Sequence, residues 1–261
     1  MGKGSRDSDS EVSLCVKYTL FFFNIIFWLI GCFIVGVSIY ARTEKGFQDG
    51  FASLAYDPVM ILLVVGVVIF ILGFSGCVGA LRENTCLLRF FGIFLGLILL
   101  AEGTVAVLIF VYQAQVKAFV EDQLRGAIKK YRDDVDLQNL IDFIQRQFRC
   151  CGVVGYKDWD ANIYFNCTKS NPSREACGVP FSCCRNSTIN TQCGYDVRSQ
   201  GASNSVIDRI YTTGCVDNVV AFLKDNLYVV AGVAIGIGVT QLLAIMCSFR
   251  LINDIQRQMN K

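Results

Sequence analysis

Eight of the 13 cysteines lie between residues 150 and 215: Cys150, Cys151, Cys167, Cys177, Cys183, Cys184, Cys193 and Cys215. Thiols at this density can hold a metal, act as nucleophiles, or pair as disulfides. Zinc is disfavoured, because Cys150–Cys151 and Cys183–Cys184 are adjacent pairs and the 261 residues contain no histidine. The missing histidine also removes His-based triads, HExxH metal sites, imidazole bases and histidine pH switches. A net charge of +2 gives nucleic acid no field to bind. The even count therefore reads as a disulfide framework in an oxidising compartment, with roughly a hundred pairings open on spacing alone. Two N-x-S/T sequons, at Asn166 and Asn186, fall inside the same stretch and agree with that compartment. No catalytic residue, metal or cofactor is expected.

The elements that must position this stretch are four apolar spans: 18–41, 58–81, 90–116 and 226–249. Each exceeds the ~20 residues a helix needs to cross a bilayer core. The first reads as a signal anchor rather than a cleaved leader. Lys/Arg bias gives little orientation: the N-tail 1–17 has three basic and three acidic residues, and the C-tail 250–261 three and one. The cysteines decide it, since a cytosolic loop would keep its thiols reduced. The predicted order is cytosolic N-tail 1–17, first span, small extracellular loop 42–57, second span, cytosolic turn 82–89, third span, large extracellular loop 117–225, fourth span and cytosolic C-tail. The expected fold class is an all-α membrane protein. It has four transmembrane helices and a disulfide-stabilised, mainly helical large extracellular loop.

Within the spans, Asn24, Gly31 and Ser38 are seven apart, as are Gly66, Gly73 and Ala80. Small residues at heptad spacing let two helices approach closely, which predicts a tight pair of the first two spans. Gly232 and Gly236 form a small-xxx-small step in the fourth, although glycine is common in membrane helices anyway. Asn24, Glu102 and Gln241 are intramembrane polar groups. They can form an interhelical hydrogen-bond cluster, the polar floor of a bound sterol or other lipid, or an ion path; two amides and one carboxylate make a poor relay. Cys15, Cys77, Cys86 and Cys247 come out at the cytosolic face and are candidates for palmitoylation, against the plainer reading of ordinary small buried thiols.

The large loop should open with a helix whose apolar face carries Val116, Phe119, Val120, Leu124, Ala127, Ile128 and Tyr131. Asp133, Asp134 and Asp136 can cap a second helix, with Leu137, Leu140, Ile141, Ile144 and Phe148 on its face. Gly152 is the expected breaker. A return helix is predicted over about 205–223. Between Cys151 and Cys215 the apolar content is low, so order there is expected to come largely from disulfides.

These residues resemble a tetraspanin over essentially the whole chain. The resemblance rests on Cys150-Cys151-Gly152, Pro180-Phe181-Ser182-Cys183-Cys184, Gly214-Cys215 and the second-span run Gly76-Cys77-Val78-Gly79-Ala80-Leu81-Arg82-Glu83-Asn84. Eight loop cysteines, with Tyr164-Phe165-Asn166-Cys167 and Asn190-Thr191-Gln192-Cys193-Gly194, are similar to the eight-cysteine subgroup. Phe21-Phe22-Phe23-Asn24 and Tyr156-Lys157-Asp158-Trp159 lean toward an erythroid member of it. The resemblance implies the pairs Cys150–Cys215, Cys151–Cys183, Cys167–Cys177 and Cys184–Cys193. It also implies a non-enzymatic scaffold for an ADAM-family transmembrane metalloprotease, the α-secretase and Notch sheddase. That scaffold would act in endoplasmic-reticulum exit, maturation, surface delivery and substrate choice, with indirect effects on Notch signalling. Other tetraspanins and membrane lipid are further expected partners. The implied location is the plasma membrane, cell junctions included, with endoplasmic-reticulum and endosomal membranes in transit. Phe165, Phe181 and Tyr195 are candidate exposed contact residues in the variable region, about 164–211. The alternative function is a sterol- or lipid-binding organiser acting without the protease.

Overall fold

Helices in chain order are α1 (Leu14–Lys45), α2 (Pro58–Leu81), α3 (Thr85–Val111), α4 (Gln113–Lys129), α5 (Val135–Phe148), α6 (Cys215–Asp225) and α7 (Leu227–Met259). The computed structural model describes residues 14–45, 57–185, 192–199, 201–202 and 208–260. Among these there is no β-strand, only the isolated antiparallel bridges Gly155–Thr213 and Cys184–Ile210. Helices α1, α2, α3 and α7 are long and apolar enough to cross a membrane. The chain divides into one unit of 1–50, 59–107 and 231–261, and a second of 51–58 and 108–230.

In the first unit, glycines set the contact between α1 and α2. A Cβ on Gly31 would come 2.6 Å from the Phe70 nitrogen, and one on Gly73 2.7 Å from the Trp28 nitrogen. Gly66 lies against the Ile34 side chain and Gly76 against the Asn24 amide. Ser38 and Ala80, at the other heptad positions, are buried. Backbone-to-backbone approach of this kind gains dispersion where lipid offers no hydrophobic drive. A second cluster joins Leu20, Ala80, Leu88, Phe91, Ala244, Leu251, Ile252 and Ile255. Ser248 donates to the Leu88 carbonyl at 3.0 Å, and Gly92 makes room for the Phe249 ring.

The step Gly232–Gly236 does not act as the sequence suggests. Neither glycine has a neighbour within 4 Å of a built Cβ, and residues 232–237 and 101–111 are exposed. Contact between α3 and α7 is made instead around Gly92, Ser248 and Phe249, by Gly238 facing Leu99, and by the Gln241–Glu102 hydrogen bond. The α2–α3 turn is shorter than predicted. Asn84 Oδ1 accepts from the Cys86 and Leu87 nitrogens at 3.0 and 3.2 Å, so α3 starts at Thr85. Glu83 holds the left-handed turn conformation (φ 52°) and pairs with Lys17 at 2.6 Å. At its other end α3 stops at Val111, before the predicted 116. Tyr112 leaves helical geometry (φ −113°, ψ 40°) and α4 starts afresh.

In the second unit, Asp134 caps α5 as its position suggests, accepting from the Asp136 and Leu137 nitrogens at 2.9 and 3.3 Å. The helix ends earlier than Gly152 implies. Arg149 takes the left-handed position (φ 52°), and the Cys150 nitrogen returns to the Gln145 carbonyl. Gly152 is needed three residues later, at φ 73°, where a Cβ would run into the Gly155 carbonyl. The return helix is shorter too. Residues 205–207 lie outside the described ones, 208–214 are not helical, and α6 begins at Cys215. The reason is backbone pairing: Tyr211 donates to the Cys183 carbonyl, Cys151 to Thr213, and Cys215 to Gly152. Ile210 is wholly buried by that pairing rather than riding on a helix face. An apolar core adds to the order the disulfides supply: Ile128, Tyr131, Val153, Trp159, Phe165, Val179, Val197, Ile210 and Val216 cluster with four half-cystines.

Candidate functional site

Four disulfides frame the second unit: Cys150–Cys215, Cys151–Cys183, Cys167–Cys177 and Cys184–Cys193. Their sequence separations are 65, 32, 10 and 9. The longest closes the unit where α5 ends and α6 begins; a loop of that length constrains the unfolded chain by about 4 kcal/mol in the chain-entropy account. Gly214 is required beside it, because a Cβ would strike the Val153–Val154 backbone. Asn218 of α6 donates to the Phe148 and Arg149 carbonyls at 2.9 and 3.2 Å, satisfying the end of α5. Asn162 does the same for α4, donating to the Ile128 and Lys129 carbonyls at 2.8 and 3.2 Å.

A buried polar network lies between α5 and the Pro180–Cys184 segment. Tyr131 donates to Asp142 Oδ1 at 2.8 Å. Ser182 Oγ sits 2.6 Å from the same oxygen and 2.7 Å from Gln145 Oε1. All four side chains are buried. A carboxylate there is tolerable only because these donors meet it. Burial, and then the Asp142 charge, push the Tyr131 phenol far above its ordinary range. Sequence reading missed this network. Its one signal was that Asp142 and Gln145, three residues apart, stand on the face that α5 turns inward.

Arg198 clamps the variable region. It donates to Asp160 Oδ1 at 3.0 Å and to the Gly178 carbonyl at 3.2 Å, and also reaches the Phe165 carbonyl. Burial lowers its guanidinium below the ordinary value, with the Asp160 pairing opposing. Phe165 is not an exposed contact residue. It is 0% exposed, edge-on to Trp159 at 5.2 Å and under the Arg132 guanidinium at 5.7 Å. An aromatic ring gains by burial, and this one packs against Tyr131 and Trp159 in the core of the unit. Phe181 is half-buried under Arg146, and Tyr195 is 36% exposed. Asn166 is partly buried, its amide donating to the Asp160 carbonyl at 2.7 Å; Asn186 lies outside the described residues.

In the first unit, Gln241 donates to Glu102 at 2.9 Å, and its own carbonyl oxygen is buried with no partner among the described residues. Asn24 does not join them. It donates to the Leu20 carbonyl at 2.8 Å and packs on Gly76, so the expected three-residue cluster is a pair plus a single. Cys15 and Cys86 are exposed and Cys247 is intermediate. Cys77 is buried with its sulfur 3.7 Å from the Phe21 carbonyl, which withdraws it as an acylation candidate while α1 and α2 stay packed.

Four membrane-length helices and a cysteine-framed helical domain define a multi-pass membrane protein. The Tetraspanin family profile matches residues 16–254, and the chain belongs to that family. It is 49% identical to human (Homo sapiens) Tetraspanin-5 over 261 residues, covering 97% of each chain. It is 46% identical to mouse (Mus musculus) Tetraspanin-17, covering 98% of this chain and 97% of that one. Bovine (Bos taurus) Tetraspanin-33 is 46% identical over 95% of this chain and 89% of its own. These similar figures place the chain in the subgroup without singling out one member.

Proposed function

We propose that this tetraspanin is a non-enzymatic scaffold for an ADAM-family transmembrane metalloprotease, the α-secretase and Notch sheddase. It would hold the protease through export from the endoplasmic reticulum, maturation and surface delivery, and influence its choice of substrate. Effects on Notch signalling follow indirectly. The disulfide-framed domain faces outside the cell, and both tails and the α2–α3 turn at 82–84 face the cytosol. The observation that carries the reading is the framework itself. Four disulfides closed over one aromatic core make a preordered surface, so little conformational entropy is lost when a partner binds. Similarity to Tetraspanin-5, Tetraspanin-17 and Tetraspanin-33 supports the subgroup on which the partner assignment rests. With Phe165 withdrawn, Phe181 and Tyr195 remain of the three candidate aromatic contacts in the variable region. The test is immunopurification in mild detergent with mass spectrometry of co-purified proteins. Recovery of the metalloprotease is expected. Its clean absence, or its retention after the variable region is exchanged for that of a four- or six-cysteine tetraspanin, counts against the assignment.

One observation favours a second reading, lipid binding. The Gln241 carbonyl oxygen is buried with no donor, beside Glu102. A sterol hydroxyl has the donor it lacks. Saturable photo-sterol labelling, abolished by Gln241→Leu, is the expected result; labelling indifferent to that substitution rejects it.

A further inference from the structure

Cys184 and Ile210 form an antiparallel bridge, flanked by hydrogen bonds from the Tyr211 nitrogen to the Cys183 carbonyl and from the Arg185 nitrogen to the Arg209 carbonyl. Arg185 and Arg209 are therefore directly opposite each other. Cys184 and Ile210 are buried, whereas both arginines are exposed. Like charges directly opposite in an antiparallel pair repel. Among the described residues neither guanidinium has a carboxylate partner, and Asp208, next in the chain to Arg209, pairs with neither.

Arg185 is nevertheless fixed in place. Its Nε donates to the Ile210 carbonyl at 3.0 Å, and its guanidinium lies 5.8 Å from the Tyr211 ring centroid. At the other end of the five-residue segment 181–185, Arg146 repeats the arrangement. Its Nε is held by the Asp142 carbonyl at 3.2 Å, and its guanidinium is 5.6 Å from the Phe181 ring. Arg146 too has no carboxylate partner among the described residues. Two other arginines of the unit are ion-paired, Arg132 with Glu175 and Arg198 with Asp160, while Arg125, Arg149 and Arg174 show no ion pair among the described residues. What sets Arg185 and Arg146 apart from those three is the anchored Nε and the aromatic ring beneath the guanidinium. Stacked guanidiniums with one nitrogen anchored are preorganised, and their remaining N–H groups match a carboxylate two at a time.

We propose that Arg185 and Arg209, with Arg146 at the far end of the segment, form a docking face for an acidic segment of the partner protein. This rests on the scaffold reading above and supplies the chemistry of its contact. A protein carboxylate fits better than a polyanionic polysaccharide. Residues 117–225 carry fourteen basic and thirteen acidic side chains, so the domain offers no broad positive field, and a short acidic segment can be met by this local group alone. An anion bound between Arg185 and Arg209 removes their mutual repulsion, an interaction absent from the free domain.

The test uses the full chain in cells, with recovery of the metalloprotease as the readout. Arg185→Glu with Arg209→Glu should lower recovery by roughly tenfold near ~0.15 M salt, as reversal of complementary charge does at an interface. The double lysine variant should retain part of the binding. Raising salt to about 0.5 M should weaken the wild type and leave the reversed variant little changed. Arg209→Gln guards against misfolding, because the Arg209 side chain makes no bond among the described residues; a drop of about threefold is expected at unchanged surface delivery. Lys129→Glu, an exposed charge on α4, should change nothing. If the wild type recovers the protease and every arginine variant does so equally, the docking face is wrong while the scaffold stands. Failure of the wild type to recover it overturns both. Loss of wild-type recovery after heparinase treatment would assign the arginines to a polysaccharide and also overturn the proposal.

Discussion

Gly73 of α2 rests on the Trp28 backbone of α1, so closely that a Cβ would sit 2.7 Å from the Trp28 nitrogen. A backbone atom cannot swing aside as a side-chain tip can, so a larger residue must push the helices apart. Gly73→Leu should destabilise the helix pair by about 1–3 kcal/mol. The same change at Gly236, where nothing lies within 4 Å, should stay within about 0.5 kcal/mol. Thermal unfolding followed by circular dichroism in mild detergent checks both. Equal losses at the two sites would mean that side-chain volume, not helix approach, decides the effect.

Tyr131 is held as a neutral phenol by burial and by the Asp142 carboxylate that it donates to. Its folded value lies above its unfolded value near ~10. The stability it contributes is therefore fully present below about pH 10 and is lost as pH rises beyond that. Tyr131→Phe should flatten this alkaline limb. At neutral pH it should also cost about 1–2 kcal/mol, because Asp142 loses one donor. Unfolding measured from pH 7 to 11 for both proteins decides it. A variant whose alkaline loss matches the wild type would show that other groups cause that limb.

The α1–α2 contact was legible in the sequence because heptad spacing of Gly31, Gly66 and Gly73 is a property of one helix at a time. Asp134 as a cap was legible for the same reason. Phe165, Ile210 and the Tyr131–Asp142–Ser182 network were not, because their surroundings come from segments 26 to 40 residues away that the disulfides bring in. Ile210 looks like a helix-face residue until its backbone meets Cys184. Arg149 in place of Gly152 as the left-handed residue of α5 is likewise set from outside, by Asn218 reaching back across the Cys150–Cys215 closure. The eight cysteines marked the site, but spacing alone did not choose their partners.

Phe165 and Tyr195 stand close to the same disulfide loops with opposite roles. Phe165→Ala removes a ring packed on Tyr131 and Trp159 and should cost about 3–5 kcal/mol, enough to retain the protein in the endoplasmic reticulum. Tyr195→Ala should leave stability and surface delivery intact and lower partner recovery only. Glycan processing and surface biotinylation report the first; co-purification reports the second. Normal export of Phe165→Ala would contradict its place in the core.

The candidate palmitoylation thiols can be separated by access. Acyl transfer needs an accessible sulfur. Cys15 and Cys86 are exposed, whereas Cys77 is closed between α1 and α2 against the Phe21 carbonyl. Thioester-exchange mass tagging should lose one tag in Cys15→Ser and one in Cys86→Ser, and none in Cys77→Ser. Cys247, partly covered by the Leu251–Ile255 cluster, should be tagged to a smaller fraction than either. A full tag lost with Cys77→Ser would require α1 and α2 to part while the enzyme acts. In that case Gly73→Leu, which forces them apart, should raise tagging at Cys77 further, so the two variants together distinguish a closed helix pair from one that opens.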